Sequence, residues 1–137
     1  MSERELSMSV NARLENEALN ALFSAAWADH AWRDFAPVLE RGLVHVSAYA
    51  GEQLVGFANV ATDGGAHAFL LDPTVHPSVQ RSGIGTALVR RAVVEAKARG
   101  ATWLHVDFLP ELEAFYRGLG FRHTHAGLID LRRAKDA

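Results

Sequence analysis

Residues 75–88 read Val-His-Pro-Ser-Val-Gln-Arg-Ser-Gly-Ile-Gly-Thr-Ala-Leu, and they decide the fold because they join a strand end, a short loop and a helix start. The first turn of a helix leaves about four N–H groups without partners, and the macrodipole adds roughly half a positive charge there. Gly83 and Gly85 have no Cβ, so an anion can approach the main chain closely. The stretch therefore predicts either a loop that binds a phosphate or pyrophosphate, or simply a tight strand-to-helix turn.

Two common phosphate-binding loops do not fit these residues. The dinucleotide-binding pattern needs a third glycine three residues after the second, where Leu88 stands. The P-loop needs Gly-Lys-Ser/Thr, and the chain has no lysine before Lys97. Any phosphate bound here is held by a different arrangement.

Apolar spacing on either side of this stretch alternates between the helical period and the strand period. The helical period predicts helices over residues 16–27, 31–41, 85–99 and 110–119. The strand period predicts strands over residues 44–50, 54–61, 66–75, 103–108 and 121–131, with a further strand around 8–14. A strand, a helix and a strand in succession imply one parallel strand pair. We therefore expect an α/β (α+β) fold with a mixed, mostly antiparallel central sheet flanked by helices.

Length and composition narrow the class of protein. The 137 residues predict one domain spanning 1–137, with 49% hydrophobic and 22% charged residues. The chain has no cysteine, and His123-x-His125 is its only chelate-like pair, so we expect no metal. A net charge of −2 gives no general attraction to nucleic acid. No apolar run is long enough to span a membrane, and no secretion signal is visible, so we expect a cytoplasmic protein.

Two motifs resemble those of one family. Gln80-Arg81-Ser82-Gly83-Ile84-Gly85, after Val75-His76-Pro77, resembles the acyl-CoA loop of the GNAT superfamily of N-acetyltransferases. Downstream, Tyr116-Arg-Gly-Leu-Gly-Phe121 is similar to the Tyr-x-x-x-Gly-Phe pattern of the same superfamily. The resemblance covers residues 6–131. It implies a GNAT-type sheet whose parallel strands, about 66–75 and 103–108, splay apart to hold the cofactor.

The resemblance also implies which residues hold acetyl-CoA, the acyl donor. The main chain of Thr74 and Val75 would pair with the pantetheine arm and hold the thioester carbonyl. The pyrophosphate would lie on the amides of the loop, and Arg81 could add charge to a phosphate or simply be solvated. The expected cofactor-binding residues of the loop are Gln80, Arg81, Ser82, Gly83, Ile84, Gly85 and Thr86.

By the same resemblance, Tyr116 would be the general acid, since its hydroxyl could protonate the thiolate that leaves when an amine displaces CoA. The alternative is a tyrosine that only packs its ring at a helix end. The asparagine that the family often has seven residues before this tyrosine is replaced by Leu109.

The sequence leaves the identity of the general base open. Counting back by twos from Val75 reaches Pro73, Leu71 and Phe69, and none of these side chains takes a proton. Asp72 has the other parity unless a bulge shifts the register, as bulges near active sites do. Asp107 on the partner strand is a second candidate, and a water chain is the third. Asp72 could equally accept hydrogen bonds from loop amides, and Asp107 could cap the helix that follows.

The acceptor would lie against the segment between the first two helices, which begins Trp27-Ala-Asp-His-Ala-Trp32. The aromatic and acidic side chains of Trp27, Asp29 and Trp32 suit a small cationic amine. Alternatively, Trp27 completes the core face of the first helix.

These observations predict an N-acetyltransferase that moves an acetyl group from acetyl-CoA to a primary amine of a small or amino-acid-like molecule. Two other functional hypotheses stay open. One is an acyl-CoA-binding regulatory or interaction module without efficient catalysis, and the other is a protein or peptide N-acetyltransferase. The expected partner is a small-molecule amine, with neither nucleic acid nor membrane, and a homodimer is compatible with the sequence.

Overall fold

The computed structural model describes residues 5–133, and the chain divides into two compact units, Met1–Val106 and Asp107–Ala137. The strands of the first unit are β1 (Leu6–Val10), β2 (Val44–Ala50), β3 (Gln53–Thr62), β4 (His67–Val75) and β5 (Trp103–His105). Its helices are α1 (Asn16–Ala26), α2 (Ala36–Arg41) and α3 (Ile84–Ala98), with a 3₁₀ turn at Pro77–Val79. The second unit contains a 3₁₀ turn at Pro110–Leu112 and α4 (Glu113–Gly118). Among the described residues, no helix is both long and apolar enough to cross a membrane.

The sheet has the strand order β1-β2-β3-β4-β5. Every neighbouring pair is antiparallel except β4 and β5, which are parallel. The predicted fold class, a mixed and mostly antiparallel sheet flanked by helices, is therefore confirmed. In the described chain β5 pairs with β4 only along His67–Phe69. The end of β4, from Leu70 to Val75, extends past its parallel neighbour.

The two faces of the sheet are covered by different helices. On one face, α3 lies so close that a Cβ on Gly56 would be 2.8 Å from Leu88 Cδ1. The apolar stripe of α3 buries Leu88 and Val89, as its sequence spacing predicts. On the other face, α1 and α2 enclose a hydrophobic cluster. Its buried members are Leu19, Leu22, Phe23, Phe35, Leu54 and Phe57.

The helix predicted over 31–41 begins only at Ala36. The N–H of Arg33 donates to the Asn20 side chain over 2.9 Å, and the N–H of Phe35 donates to the Asn16 side chain over 2.9 Å. A helix that began at residue 31 would bond the Phe35 N–H to the Ala31 carbonyl, but the Asn16 side chain accepts this N–H instead. Residues 27–35 are therefore an ordered non-helical segment.

The strand predicted over 121–131 is wrong, since the described residues 121–133 contain no strand. The alternating pattern is present, but a strand also needs a neighbour for its hydrogen bonds. Asp130 instead makes a turn, in which its carboxylate accepts the N–H of Arg132 over 3.0 Å. Leu128, Ile129 and Leu131 are 92%, 69% and 81% exposed, so these apolar positions do not enter a core.

Three boundaries also differ. The first strand occupies Leu6–Val10 and not 8–14, because Asn11 turns the chain at φ 55° and bonds to His45. The strand predicted over 103–108 ends at His105. The helix predicted over 110–119 is split into the 3₁₀ turn and α4.

Candidate functional site

The loop between β4 and α3 has the geometry of an anion cradle. His76 Nδ1 accepts the N–H of Ser78 over 3.1 Å and so caps the 3₁₀ turn. Arg81 (φ 67°) and Gly83 (φ 87°) then adopt left-handed conformations, and Gly83 is the N-cap of α3. A Cβ built on Gly83 meets no described atom within 4 Å, so the space beside this glycine is open.

The start of α3 supplies hydrogen-bond donors to this space. The first helical hydrogen bond runs from the Ala87 N–H to the Gly83 carbonyl over 3.0 Å. The N–H groups of Ile84, Gly85 and Thr86 precede it and point out of the first turn. Ser82 is different, because its N–H donates to the Val79 carbonyl over 3.3 Å and its hydroxyl bonds to the same oxygen. An open space next to three outward N–H groups and a helix N-terminus fits a pyrophosphate.

A β-bulge in β4 decides which way the candidate side chains point. Phe57 pairs with Thr74 and Asn59 pairs with Leu71, so a single residue of β3 lies opposite Asp72 and Pro73. Asp72 takes up the extra length at φ 53°. Counting by twos from Val75 therefore fails here, since Leu71 shares a face with Thr74, on the side of α1. The register shift that would change the face of Asp72 is present.

Thr74 connects a predicted cofactor residue to a predicted acceptor residue. Its side chain is 2% exposed, and its hydroxyl donates to the Asp72 carbonyl over 2.9 Å. The Thr74 hydroxyl oxygen also accepts the indole N–H of Trp27 over 3.2 Å. The indole is nevertheless 51% exposed, so Trp27 does not complete the core face of α1. Its ring borders the outer end of β4.

The carboxylate of Asp72 is paired with Arg33, a residue that the sequence reading missed. Arg33 Nη2 lies 3.3 Å from Asp72 Oδ2, and each side chain is 41% exposed. The guanidinium also lies 4.3 Å from the ring centroid of Phe35. One signal was available, since Arg33 is the only Lys or Arg among residues 27–34. Because Arg33 and Asp72 are 39 residues apart in sequence, no local pattern predicts that they pair.

The remaining acceptor candidates, Asp29 and Trp32, lie on the surface of the same segment. Trp32 is 68% exposed, and Asp29 is also exposed. Asn20 of α1 holds the segment of residues 27–35 in place. Its side-chain N–H donates to the Arg33 carbonyl over 2.9 Å, and its side-chain oxygen lies 2.8 Å from His30 Nε2. The segment thus presents both indoles to solvent from a fixed main chain.

Tyr116 lies in the second unit, within an aromatic cluster. Its side chain is buried, with the ring stacked on Phe108 at 4.8 Å and edge-on to Phe115 and Phe121. Burial, and secondly the negative charge of Asp107, raise the pKa of the Tyr116 hydroxyl above its usual value of about 10. The phenol therefore holds its proton throughout the neutral range. Asp107 is exposed and does not cap the turn at Pro110, whose N-cap is Leu109.

Known proteins are similar to this chain in sequence and in fold. The sequence model described as "Acetyltransferase (GNAT) family" matches residues 12–121. A mycothiol acetyltransferase from Nocardia farcinica is 32% identical over 131 residues, which are 89% of this chain and 43% of that protein. The chain thus spans less than half the length of this relative.

Two solved structures illustrate the likeness of fold. A GNAT-family acetyltransferase from Streptococcus pneumoniae has a TM-score of 0.78 and 25% identity, with 95% of this chain and 100% of that chain covered. The ribosomal-protein-S18-alanine N-acetyltransferase from Escherichia coli has a TM-score of 0.75 and 25% identity, with 88% and 80% covered. Since the family pattern matches more than half of the sequence, and the sheet and the loop before α3 agree with it, the chain belongs to the GNAT family of acetyltransferases.

Proposed function

We propose that this protein is an N-acetyltransferase that moves an acetyl group from acetyl-CoA to the primary amine of a small, amino-acid-like molecule. One observation carries the proposal. The end of β4 extends past β5 and is joined by the loop of residues 76–83 to the outward N–H groups at the start of α3. Such a strand edge followed by an anion cradle suits a ligand with an extended amide-containing arm and a pyrophosphate.

The residues for the acyl donor follow from this arrangement. The main chain of Thr74 and Val75 binds the arm, and the N–H groups of Ile84, Gly85 and Thr86 bind the pyrophosphate. Arg81 and Gln80 are exposed beside the loop, where a guanidinium and an amide suit phosphate oxygens. Acetyl-CoA supplies an activated acyl group as a thioester, and the chain's own residues orient it and manage the protons.

In the proposed reaction, the amine nitrogen of the acceptor forms a bond to the acyl carbon and the carbon–sulfur bond breaks. Tyr116 gives its proton to the departing sulfur. Its protonated state in the neutral range supports this role, because only a phenol that holds a proton can deliver one.

The acceptor's ammonium group must also lose a proton before its nitrogen can attack. Asp72 is one acceptor for this proton, and the bulge that places it opposite Arg33 supports it. Asp107, next to Tyr116 in the second unit, and water are the other two routes. Replacing each aspartate by asparagine and comparing the acidic limbs of the pH–rate profiles separates these three.

An acceptor screen with acetyl-CoA, in which the released thiol is measured, tests the proposed function. We expect release that depends on a primary amine, with the acetylated product confirmed by mass spectrometry. Binding of CoA without transfer to any amine or peptide would overturn the enzyme and support an acyl-CoA-binding module. Transfer only to peptides would overturn the small-molecule acceptor.

A further inference from the structure

The ion pair between Arg33 and Asp72 joins two elements that are far apart in sequence. Arg33 belongs to the segment between α1 and α2, and Asp72 occupies the bulge of β4. The two charged groups are 3.3 Å apart and each side chain is 41% exposed. An ion pair this exposed contributes little to stability, so a ligand can insert between its members at small cost.

Each member of the pair is held in place by groups other than its partner. The guanidinium of Arg33 lies over the ring of Phe35 at 4.3 Å, and its main-chain N–H and carbonyl both bond to the side chain of Asn20. Asp72 is a non-glycine residue at φ 53°, and its carbonyl accepts the hydroxyl of Thr74. A left-handed residue held by its surroundings is the kind of strain that occurs at ligand sites. Separation of the two side chains would leave the Arg33 guanidinium over the Phe35 ring and the main chain of Asp72 held by Thr74.

We propose that Arg33 and Asp72 together recognise a free α-amino acid as the acceptor. The carboxylate of the ligand binds the guanidinium and its ammonium group binds the carboxylate of Asp72. This inference rests on the proposed function, and it specifies the chemistry of the acceptor.

Charge complementarity favours a zwitterion over a simple amine. A positive and a negative group side by side form a short dipole, and the best ligand carries the opposite dipole with a similar spacing. The ammonium and carboxylate of an α-amino acid are held close together by one carbon, whereas an ω-amino acid separates them. A simple amine would place its positive charge near Arg33 without compensation.

The position of the pair agrees with an acceptor amine. Asp72 precedes Thr74 by two residues, in the part of β4 proposed to hold the thioester. The indole of Trp27, bonded to Thr74, and the exposed indole of Trp32 lie on the same segment as Arg33. These rings provide apolar surface for the side chain of the amino acid.

Three matched compounds test the inference on the protein of residues 1–137: L-phenylalanine, L-phenylalaninamide and 2-phenylethylamine. The second has a neutral amide in place of the carboxylate, and the third lacks this group entirely. With acetyl-CoA present, we expect kcat/KM for the amino acid to exceed that for either other compound by roughly 10- to 100-fold, since a hydrogen bond to a charged group is lost. Arg33→Gln should reduce this preference to about unity, mainly through KM. Arg13→Gln, which removes an exposed arginine elsewhere in the same unit, is the matched control and should keep the preference.

Binding decides the inference independently of turnover. Calorimetry with CoA present should show the same order of affinity for the three compounds, and the loss of that order in Arg33→Gln. Equal affinities in the unaltered protein, or an equal loss for all three compounds in the variant, would overturn the zwitterion site and assign Arg33 a purely structural role. Selective binding without acetyl transfer would retain the site and overturn the proposed reaction. Acetyl transfer without a preference for the carboxylate would retain the proposed reaction and overturn the zwitterion site.

Discussion

The indole N–H of Trp27 donates a 3.2 Å hydrogen bond to the hydroxyl of Thr74. This contact joins the segment after α1 to the part of β4 that extends beyond β5. The Thr74 hydroxyl is itself oriented by donating to the Asp72 carbonyl. The segment proposed to line the acceptor site and the strand proposed to hold the donor are therefore joined at Thr74.

Replacement of Trp27 by phenylalanine tests the hydrogen bond between Trp27 and Thr74. The change keeps an aromatic ring but removes the donor, so we expect a loss of about 0.5–1.5 kcal/mol in the free energy of unfolding. Urea denaturation measures it. KM for the amine should rise while the affinity for CoA stays the same. Trp32→Phe, at an indole that is 68% exposed, is the control and should leave stability unchanged within about 0.5 kcal/mol. Equal stability of the two variants would mean that the Trp27 contact carries no energy.

Gly83→Ala should weaken CoA binding, and Gly64→Ala is the control for the backbone strain that an alanine introduces. Both Gly83 (φ 87°) and Gly64 (φ 85°) are left-handed, and a Cβ on either meets no described atom within 4 Å. An alanine should therefore cost each site a similar backbone strain, about 1–2 kcal/mol. Only Gly83 lies in the cradle, so calorimetry should show reduced CoA affinity for Gly83→Ala and unchanged affinity for Gly64→Ala. If both variants bind CoA as the unaltered protein does, the pyrophosphate lies elsewhere.

Tyr116→Phe should lower kcat for acetyl transfer and leave the affinity for acetyl-CoA nearly unchanged. The phenol contributes little to the bound thioester, but it meets negative charge on sulfur as the bond breaks, and such an interaction appears in kcat. Positioned acid–base groups contribute about 10²–10⁴-fold, which sets the expected loss. Tyr49→Phe, at the only other tyrosine in the sequence, is the control and should retain kcat. A loss below about threefold would leave Tyr116 as a packing residue.

Asp107→Asn should move the pKa of Tyr116 downward, because the carboxylate is the second cause, after burial, that raises it. The shift is measured from the tyrosinate absorbance during alkaline titration of proteins that also carry Tyr49→Phe. The folded-state pKa of Tyr116 exceeds its unfolded value, so its contribution to stability is complete below about pH 10 and is lost as the pH rises through the folded-state pKa. Tyr116→Phe should remove this part of the alkaline loss. An unchanged titration curve in Asp107→Asn would show that burial alone raises the pKa.

The sequence alone was sufficient for the features that depend on near neighbours in the chain. The loop at residues 75–88 could be predicted because a glycine at the N-cap and an apolar stripe along α3 are properties of consecutive residues. One parallel strand pair followed from a helix between two strands. The start of α2 was predicted less well, since the Phe35 N–H bonds to the side chain of Asn16 in α1.

Tertiary structure decided the features that depend on residues far apart in sequence. The bulge at Asp72 is set by the register of β4 against β3, which no count along β4 alone contains. The pairing of Arg33 with Asp72 joins residues 39 apart in the chain. Residues 121–131 have the alternation of a strand, yet a strand forms only where a neighbour supplies hydrogen bonds. Local residue patterns thus determined most of the elements and the glycine-containing loop before α3, whereas pairing and packing between distant residues determined which side chains meet near it.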